Sequence, residues 1–258
     1  MFHKIVSFFC FIIKSKNEHG VHSPFVFDLI TSCFYKKKGK NDLTILLNYK
    51  KQLSKNTSLL EISKFNFMSR LLLSHKRKRS RIFKDSEISN KRARLLIHLI
   101  QYLKPKNILE IGTGFGINTV VLSSAQRNSK ITTLDENEQV VNAIKELFKK
   151  NTIKNVKFLA GNFNITLPRV FNNNTYDFIH FKGSCVNKTI LKYFESSLLS
   201  IDNNSVFLFE NIHSNKESEK VWNYIKKHEK VTVTIDTLLW GFVFFRKEQE
   251  KEHFIIRI

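Results

Sequence analysis

Two acids, Glu110 and Asp135, bracket a turn in which three of the chain's eight glycines fall within five residues. The segment reads Asn107-Ile-Leu-Glu110-Ile-Gly112-Thr113-Gly114-Phe-Gly116-Ile-Asn118. An apolar run ends in a carboxylate, glycines occupy alternate positions, and a helix-like stretch follows from Ile117 to Gln126. Together these predict a strand, a backbone-dense turn and a helix start, the arrangement that holds a nucleotide-like ligand at a sheet's carboxyl edge. Glycine keeps the peptide groups bare for close approach and tolerates positive φ. A dinucleotide site wants G-x-G-x-x-G, with a helix N-terminus aimed at a pyrophosphate. Here the order is E-x-G-x-G-x-G, with an acid two positions before the first glycine. A carboxylate there repels phosphate but suits a ligand carrying an ammonium and a sulfonium. Asp135 ends the run Lys130 to Leu134, nineteen residues past Gly116. That is where a carboxylate accepts both hydroxyl protons of a ribose diol. Asp135-Glu136-Asn137 also reads as the N-cap of a helix from Val140 to Lys150, and the two roles are compatible.

The elements that must position these groups alternate. After the first two strands come Val156 to Leu159, Tyr176 to Phe181, Ser205 to Phe209, Val231 to Ile235, Gly241 to Phe245 and Phe254 to Ile258. Helical segments are expected at Ile190 to Leu199 and Glu217 to His228. The strands are continuous apolar runs, as strands buried on both faces of a parallel sheet should be. The closing pair is too near in sequence for a crossover helix, which predicts an antiparallel hairpin. The expected fold is α/β and doubly wound: a seven-stranded, mostly parallel sheet with an antiparallel last strand.

Charge divides the chain. Of a formal net +21, residues 1–106 carry 23 Lys/Arg against 6 Asp/Glu, and the remainder 20 against 16. The expected organisation is a basic, mainly helical appendage over 1–88 and a near-neutral core over 89–258. The helix Lys91 to Leu103 forms the junction, with Ala93, Leu96, Ile97, Ile100 and Leu103 on one side. Two explanations stand for the basic half. One is a docking face for RNA or another anionic surface, concentrated at His75-Lys-Arg-Lys-Arg-Ser-Arg81. The other is composition: Lys, Asn, Ile and Phe are what an AT-rich genome supplies, and no aromatic-interleaved RNA-binding signature accompanies the run. The apolar stretch Ile5 to Ile13 is far short of the roughly 20 residues of a membrane span and reads as an amphipathic or packed helix. Cys10, Cys33 and Cys185 form neither a disulfide framework nor a zinc pattern, so a cytoplasmic location is expected. In His19-Gly-Val-His22-Ser-Pro-Phe-Val-Phe27 the histidines could line a ligand's mouth. Alternatively the segment simply separates two elements, with Phe25 and Phe27 packing in the core.

The glycine turn resembles motif I of the class I S-adenosylmethionine-dependent methyltransferases. The chain as a whole is similar to a bacterial, Bacteroidetes-type group of O-methyltransferase-like members of that family. The resemblance rests on HGVHSPFVFDLI (19–30), LEIGTGFG (109–116), GNF (161–163), FENIH (209–213) and FFRKEQEKEHFIIRI (244–258). It implies a Rossmann-like methyltransferase fold and S-adenosyl-L-methionine as cofactor. The implied cofactor-binding residues are Glu110, Gly112, Thr113, Gly114, Gly116 and Asp135, with Asn162 and Phe163 beside the adenine. Relatives commonly place an Asp at 162 to accept a bond from the adenine amino group, and an Asn can do so through its amide oxygen. Phe163 could cover an adenine face or belong to the core.

Departures concentrate on the acceptor side. An Asp-Gly-Asn-His-like turn is here Lys182-Gly183-Ser184-Cys185, and Asp-Asp-Ile-His is here Glu210-Asn211-Ile212-His213. An Asp-Phe-Gly-Ala-Gly-Ser-like segment is here Lys64-Phe65-Asn66-Phe67-Met68-Ser69. In metal-dependent relatives the acids after strands four and five are where Mg²⁺ would bind, and a lysine ammonium there is repelled by the ion, so no metal is expected. Candidate catalytic residues are Glu210, His213 and Lys182, the last if burial depresses its pKa. Their plain alternatives are a Glu210–Lys182 pair and a helix cap at His213. Three functions are consistent with the sequence. They are methyl transfer to a small-molecule acceptor such as a hydroxyl, RNA methylation through the basic half, and a non-catalytic descendant that keeps cofactor binding.

Overall fold

The computed structural model describes residues 2–37, 39, 43–55, 88–172, 174–182 and 188–258. The 64–69 segment, the basic run 75–81 and the turn residues Gly183 to Cys185 lie outside the described residues. The N-terminal part is helical: α1 (Phe2–Lys14), α2 (Pro24–Leu29) running into a wider π turn (Ile30–Phe34), and α3 (Thr44–Lys55). Then come α4 (Asn90–Leu103), β1 (Asn107–Ile111), α5 (Ile117–Ala125), β2 (Lys130–Asp135), α6 (Glu138–Lys150) and β3 (Val156–Ala160). They are followed by α7 (Phe163–Asn172), β4 (Phe178–Phe181), α8 (Lys188–Ser197), β5 (Val206–Glu210) and α9 (Lys216–Lys227). The chain closes with β6 (Val233–Asp236), β7 (Trp240–Phe244) and β8 (Glu252–Ile255).

Among the described residues the sheet has eight strands in the order β3-β2-β1-β4-β5-β7-β6-β8. Strand order reverses between β1 and β4, so the glycine turn leaves the sheet at a topological switch point, where doubly wound sheets bind ligands. Period-two alternation sorts side chains between two cores. Ile108, Phe178, Leu208 and Phe242 point to the side covered by α4, α5 and α6. Leu109, Ile179, Phe181, Phe207 and Phe209 point to the side covered by α7, α8 and α9. In α6, Val140, Ile144, Leu147 and Phe148 share one buried stripe. The Asn137 side chain accepts the Val140 N–H at 2.9 Å and caps this helix.

The sheet ends differently from the expectation. β7 is the antiparallel strand, inserted between β5 and β6, while β8 lies beyond β6 and runs parallel to it. β7 and β8 therefore form no hairpin. Both edges of β7 are already hydrogen-bonded, so the closing segment can pair only with the free edge of β6. The count is eight strands rather than seven. The sheet edge is extended once more by the N-terminal region, where Lys16 N–H donates to Ile255 and Arg257 N–H donates to Lys16. The described part of residues 1–88 shares the first core: Val26, Leu29, Ile30, Leu46 and Tyr49 are buried with α4, α5 and α6. Ser23 caps α2 by accepting the Val26 N–H, with Pro24 in the first turn. Phe25 packs edge-on against Phe244, but Phe27 is exposed, as are His19 and His22.

Candidate functional site

The β1–α5 turn is organised around the two acids. Gly114 has φ +50° and sends its N–H to Asp135 Oδ2 at 2.8 Å. Asp135 Oδ1 accepts the Asn137 N–H at 3.1 Å. One carboxylate at the end of β2 thus fixes both the glycine turn and the start of its own loop. Gly116, at φ +69°, begins α5; a Cβ there would sit 2.8 Å from Ile144 Cγ2 and from Tyr49 Oη. Only glycine meets both the backbone and the space requirements. Tyr49, on α3, donates to the Phe115 carbonyl at 2.9 Å, so the N-terminal region also braces the turn.

Glu110 is fully buried beneath the turn. Its Oε2 accepts hydroxyl bonds from Thr119 on α5 and from Thr133 on β2, the latter at 2.7 Å. Thr113 completes the chain through Thr133 at 2.7 Å. Glu110 Oε1 has no hydrogen-bond partner among the described residues, an uncommon state for a buried carboxylate oxygen. Lys182, just past β4, lies across the turn and donates to the Thr113 carbonyl at 3.1 Å. A Cβ on Gly114 would stand 3.3 Å from its Nζ, and one on Gly112 3.3 Å from its carbonyl oxygen.

Asn162 is exposed before α7, where its amide oxygen accepts the Asn164 N–H at 2.9 Å and one lone pair remains. The Phe163 ring belongs to the second core, edge-on to Tyr193. Its N–H donates to Glu136 at 3.1 Å, which ties α7 to the loop after β2.

At the end of β5, Glu210 Oε1 accepts from Asn118 on α5 at 3.1 Å and lies 3.1 Å from His180 Nε2 on β4. Burial pushes this carboxyl up. The His180 hydrogen bond and charge outweigh it, with help from the positive charges of Lys182 and Arg92, and hold Glu210 below the usual carboxylate range. The expected direct pair with Lys182 is therefore replaced by one with His180, with Lys182 acting at longer range. His213 sits elsewhere, against α1. Its Nε2 is 2.6 Å from Asp236 and its Nδ1 2.9 Å from Glu219, and Glu219 also accepts from Ser7 at 2.6 Å. Burial alone would lower the His213 pKa, but the two carboxylates raise it above the ordinary histidine value. Asn215, not His213, caps α9.

Four functional neighbours escape a motif reading: Asn118, Thr119, Thr133 and His180. Their signal is phase. Glu110, His180 and Glu210 stand in the same period-two phase as residues of the first core, and Glu110 is the register partner of both Thr133 and His180. Polar side chains in step within apolar strands mark a buried polar cluster, though not its pairings.

The family described as a methyltransferase domain matches residues 103–251, more than half of the chain. The chain belongs to that family. No curated protein matches it at a significant level. Among solved structures, the methyltransferase is similar to an SAH-bound methyltransferase from Podospora anserina, with 17% identity and a TM-score of 0.57 over 74% of this chain and 87% of that one. It is similar to an O-methyltransferase from Bacillus cereus in complex with SAH (18%, TM-score 0.53, covering 72% and 90%). It is also similar to the O-methyltransferase TomG from Streptomyces achromogenes in complex with SAM (16%, TM-score 0.55, covering 70% and 94%). At these identities the likeness establishes the Rossmann-like methyltransferase architecture.

Proposed function

We propose that this protein is an S-adenosylmethionine-dependent methyltransferase acting on a small-molecule acceptor such as a hydroxyl. The observation that carries the reading is the Gly112–Gly116 turn at the switch point, flanked by Glu110 below and Asp135 beside it. The residues fit the cofactor. Gly114 keeps its peptide bare beneath the Lys182 ammonium, whose Nζ would stand 3.3 Å from a Cβ, and Glu110 Oε1 leaves a buried acceptor under a cationic ligand. Asp135 keeps two lone-pair sites beyond its two backbone bonds, enough for a diol. Asn162 retains acceptor capacity toward an amino group, and Phe163 supports it from the core rather than covering a ring. When bound, the cofactor supplies an electrophilic methyl group on a sulfonium.

The chain's own part is alignment and proton handling. Glu210, held ionised by His180 with help from Lys182 and Arg92, is placed to accept a hydrogen bond from an acceptor hydroxyl and take its proton. Lys182 holds the Thr113 carbonyl and so sets the turn's shape. Its ammonium, acting on Glu210 at longer range, supplies local positive charge, which makes the reading metal-independent. His213, with both nitrogens engaged by carboxylates, acts as a clasp for α1 rather than as a base. No described helix is long and apolar enough to cross a membrane. The test is transfer of a tritiated methyl group to cell extract fractionated into metabolites, RNA and protein. Label in the metabolite fraction supports the reading. Label in RNA instead supports an RNA methyltransferase that uses the basic N-terminal half for docking, and label in no fraction alongside intact cofactor binding leaves a non-catalytic descendant.

A further inference from the structure

A cavity of about 470 Å³ lies between α1, the start of α4 and the β6–β7 turn, within the size range of small-molecule sites. One wall is apolar, made by Phe8, Phe11, Phe34 and Trp240; the other carries Arg92, Arg94 and Arg257. No Asp or Glu side chain lines it among the described residues, and none of these three arginines pairs with a described carboxylate side chain. Two donors are stranded here. Among the described residues the indole N–H of Trp240, which is 1% exposed, has no acceptor, and neither has the buried Nε–H of Arg94; both are sealed behind the wall rather than open to the cavity. With no Asp or Glu among the described lining residues, the guanidinium groups of this wall call for a ligand that brings acceptors. Two other cations are already engaged: Lys91 donates to Ile258 at 2.6 Å and Lys36 to Gln101 at 3.4 Å.

The cavity adjoins the candidate catalytic group. Trp240 is the register partner of Glu210, and Asn211 N–H donates to Leu239 at 2.6 Å, so the turn lining the cavity is stitched to the end of β5. Building on the methyltransferase reading, we propose that this cavity is the acceptor site and that the acceptor is an amphiphilic anion. Such a molecule has an alkyl or aromatic body against the Phe8–Phe11–Phe34 wall and a carboxylate or phosphate on Arg94 and Arg257. Apolar burial supplies affinity, and the planar guanidinium groups supply the preference for two-oxygen anions.

The test is calorimetric titration of the full chain with octyl phosphate and octanoate, against octanol and octyltrimethylammonium as neutral and cationic counterparts of equal tail length. Expected is one site per chain for both anions, at least tenfold tighter than for either counterpart. Arg94→Gln and Arg257→Gln should each weaken octyl phosphate at least tenfold. Lys145→Gln, which removes the same charge from exposed α6, should change it less than twofold. An anion bound no more tightly than octanol, or equal losses in the Arg94 and Lys145 variants, overturns the proposal as mere attraction to a basic surface. S-adenosylhomocysteine is titrated into the same samples. Its binding without octyl phosphate binding refutes this inference alone, whereas octyl phosphate binding without it refutes the methyltransferase reading and the acceptor role together.

Discussion

Asp135→Asn is the most telling single change. The wild-type carboxylate accepts the Gly114 N–H through Oδ2 at 2.8 Å and the Asn137 N–H through Oδ1 at 3.1 Å. An asparagine has only one acceptor oxygen, so its NH₂ must face one of these two donors. One charge-assisted bond is lost, and such bonds contribute about 1.5–3 kcal/mol. The remaining oxygen can serve the backbone or a ribose hydroxyl, but not the turn and a whole diol. At 1.4 kcal/mol per factor of ten, S-adenosylhomocysteine should bind about 10- to 150-fold more weakly. Asp135→Ala should weaken it further, since no acceptor remains. Calorimetry gives the affinity, and denaturant unfolding of the ligand-free protein separates the turn's contribution from the ligand's. Wild-type affinity in Asp135→Asn, with only stability reduced, would show that Asp135 shapes the turn and does not touch the ligand.

Glu210→Gln should reduce methyl transfer by about 10²- to 10⁴-fold, the range of a lost proton acceptor, while S-adenosylhomocysteine affinity stays within threefold. An unchanged rate removes Glu210 from the mechanism. Gly241→Ala places a Cβ 2.7 Å from the buried Trp222 ring, and should destabilise the fold by about 1–3 kcal/mol without affecting ligand affinity. A wild-type melting temperature contradicts the packing described for β7. The α1 clasp should be pH-dependent. The His213 pKa is raised, so its contribution is fully present below the ordinary value of 6.5 and is lost as pH rises through the higher folded value. Glu219 is lowered, so its share is present above the ordinary 4.5 and is lost as pH falls through the lower folded value. Wild-type stability should therefore fall on the alkaline side more steeply than that of His213→Gln, and parallel profiles would refute the clasp.

What the sequence revealed followed the range of each interaction. The glycine turn, Asp135 and most of the alternating helices and strands depend on neighbours within about 20 residues and are legible in the spacing. The Glu110–Thr133–Thr119 and His180–Glu210–Asn118 clusters depend on which strands lie side by side, which spacing leaves open. α7 escaped notice because Phe163–Asn172 carries Pro168 and asparagines, poor helix formers in isolation that packing of Leu167, Val170 and Phe171 overrides. The β8 placement was misread for a related reason. A short connection predicts pairing with the preceding strand, but β7 was already saturated by β5 and β6. His213 looked like a candidate base because FENIH ends at the sheet's carboxyl edge. Only the position of α9 and β6 shows Glu219 and Asp236 closing on its ring.

Bare peptide groups around Gly114, with acids on either side, receive a sulfonium nucleoside in the function proposed above. Calorimetric titration of the purified chain with S-adenosylhomocysteine tests it most directly. Saturable heat at one site per chain, displaced by S-adenosylmethionine, is the expected result. No heat with millimolar ligand, or displacement by a dinucleotide diphosphate instead, contradicts it.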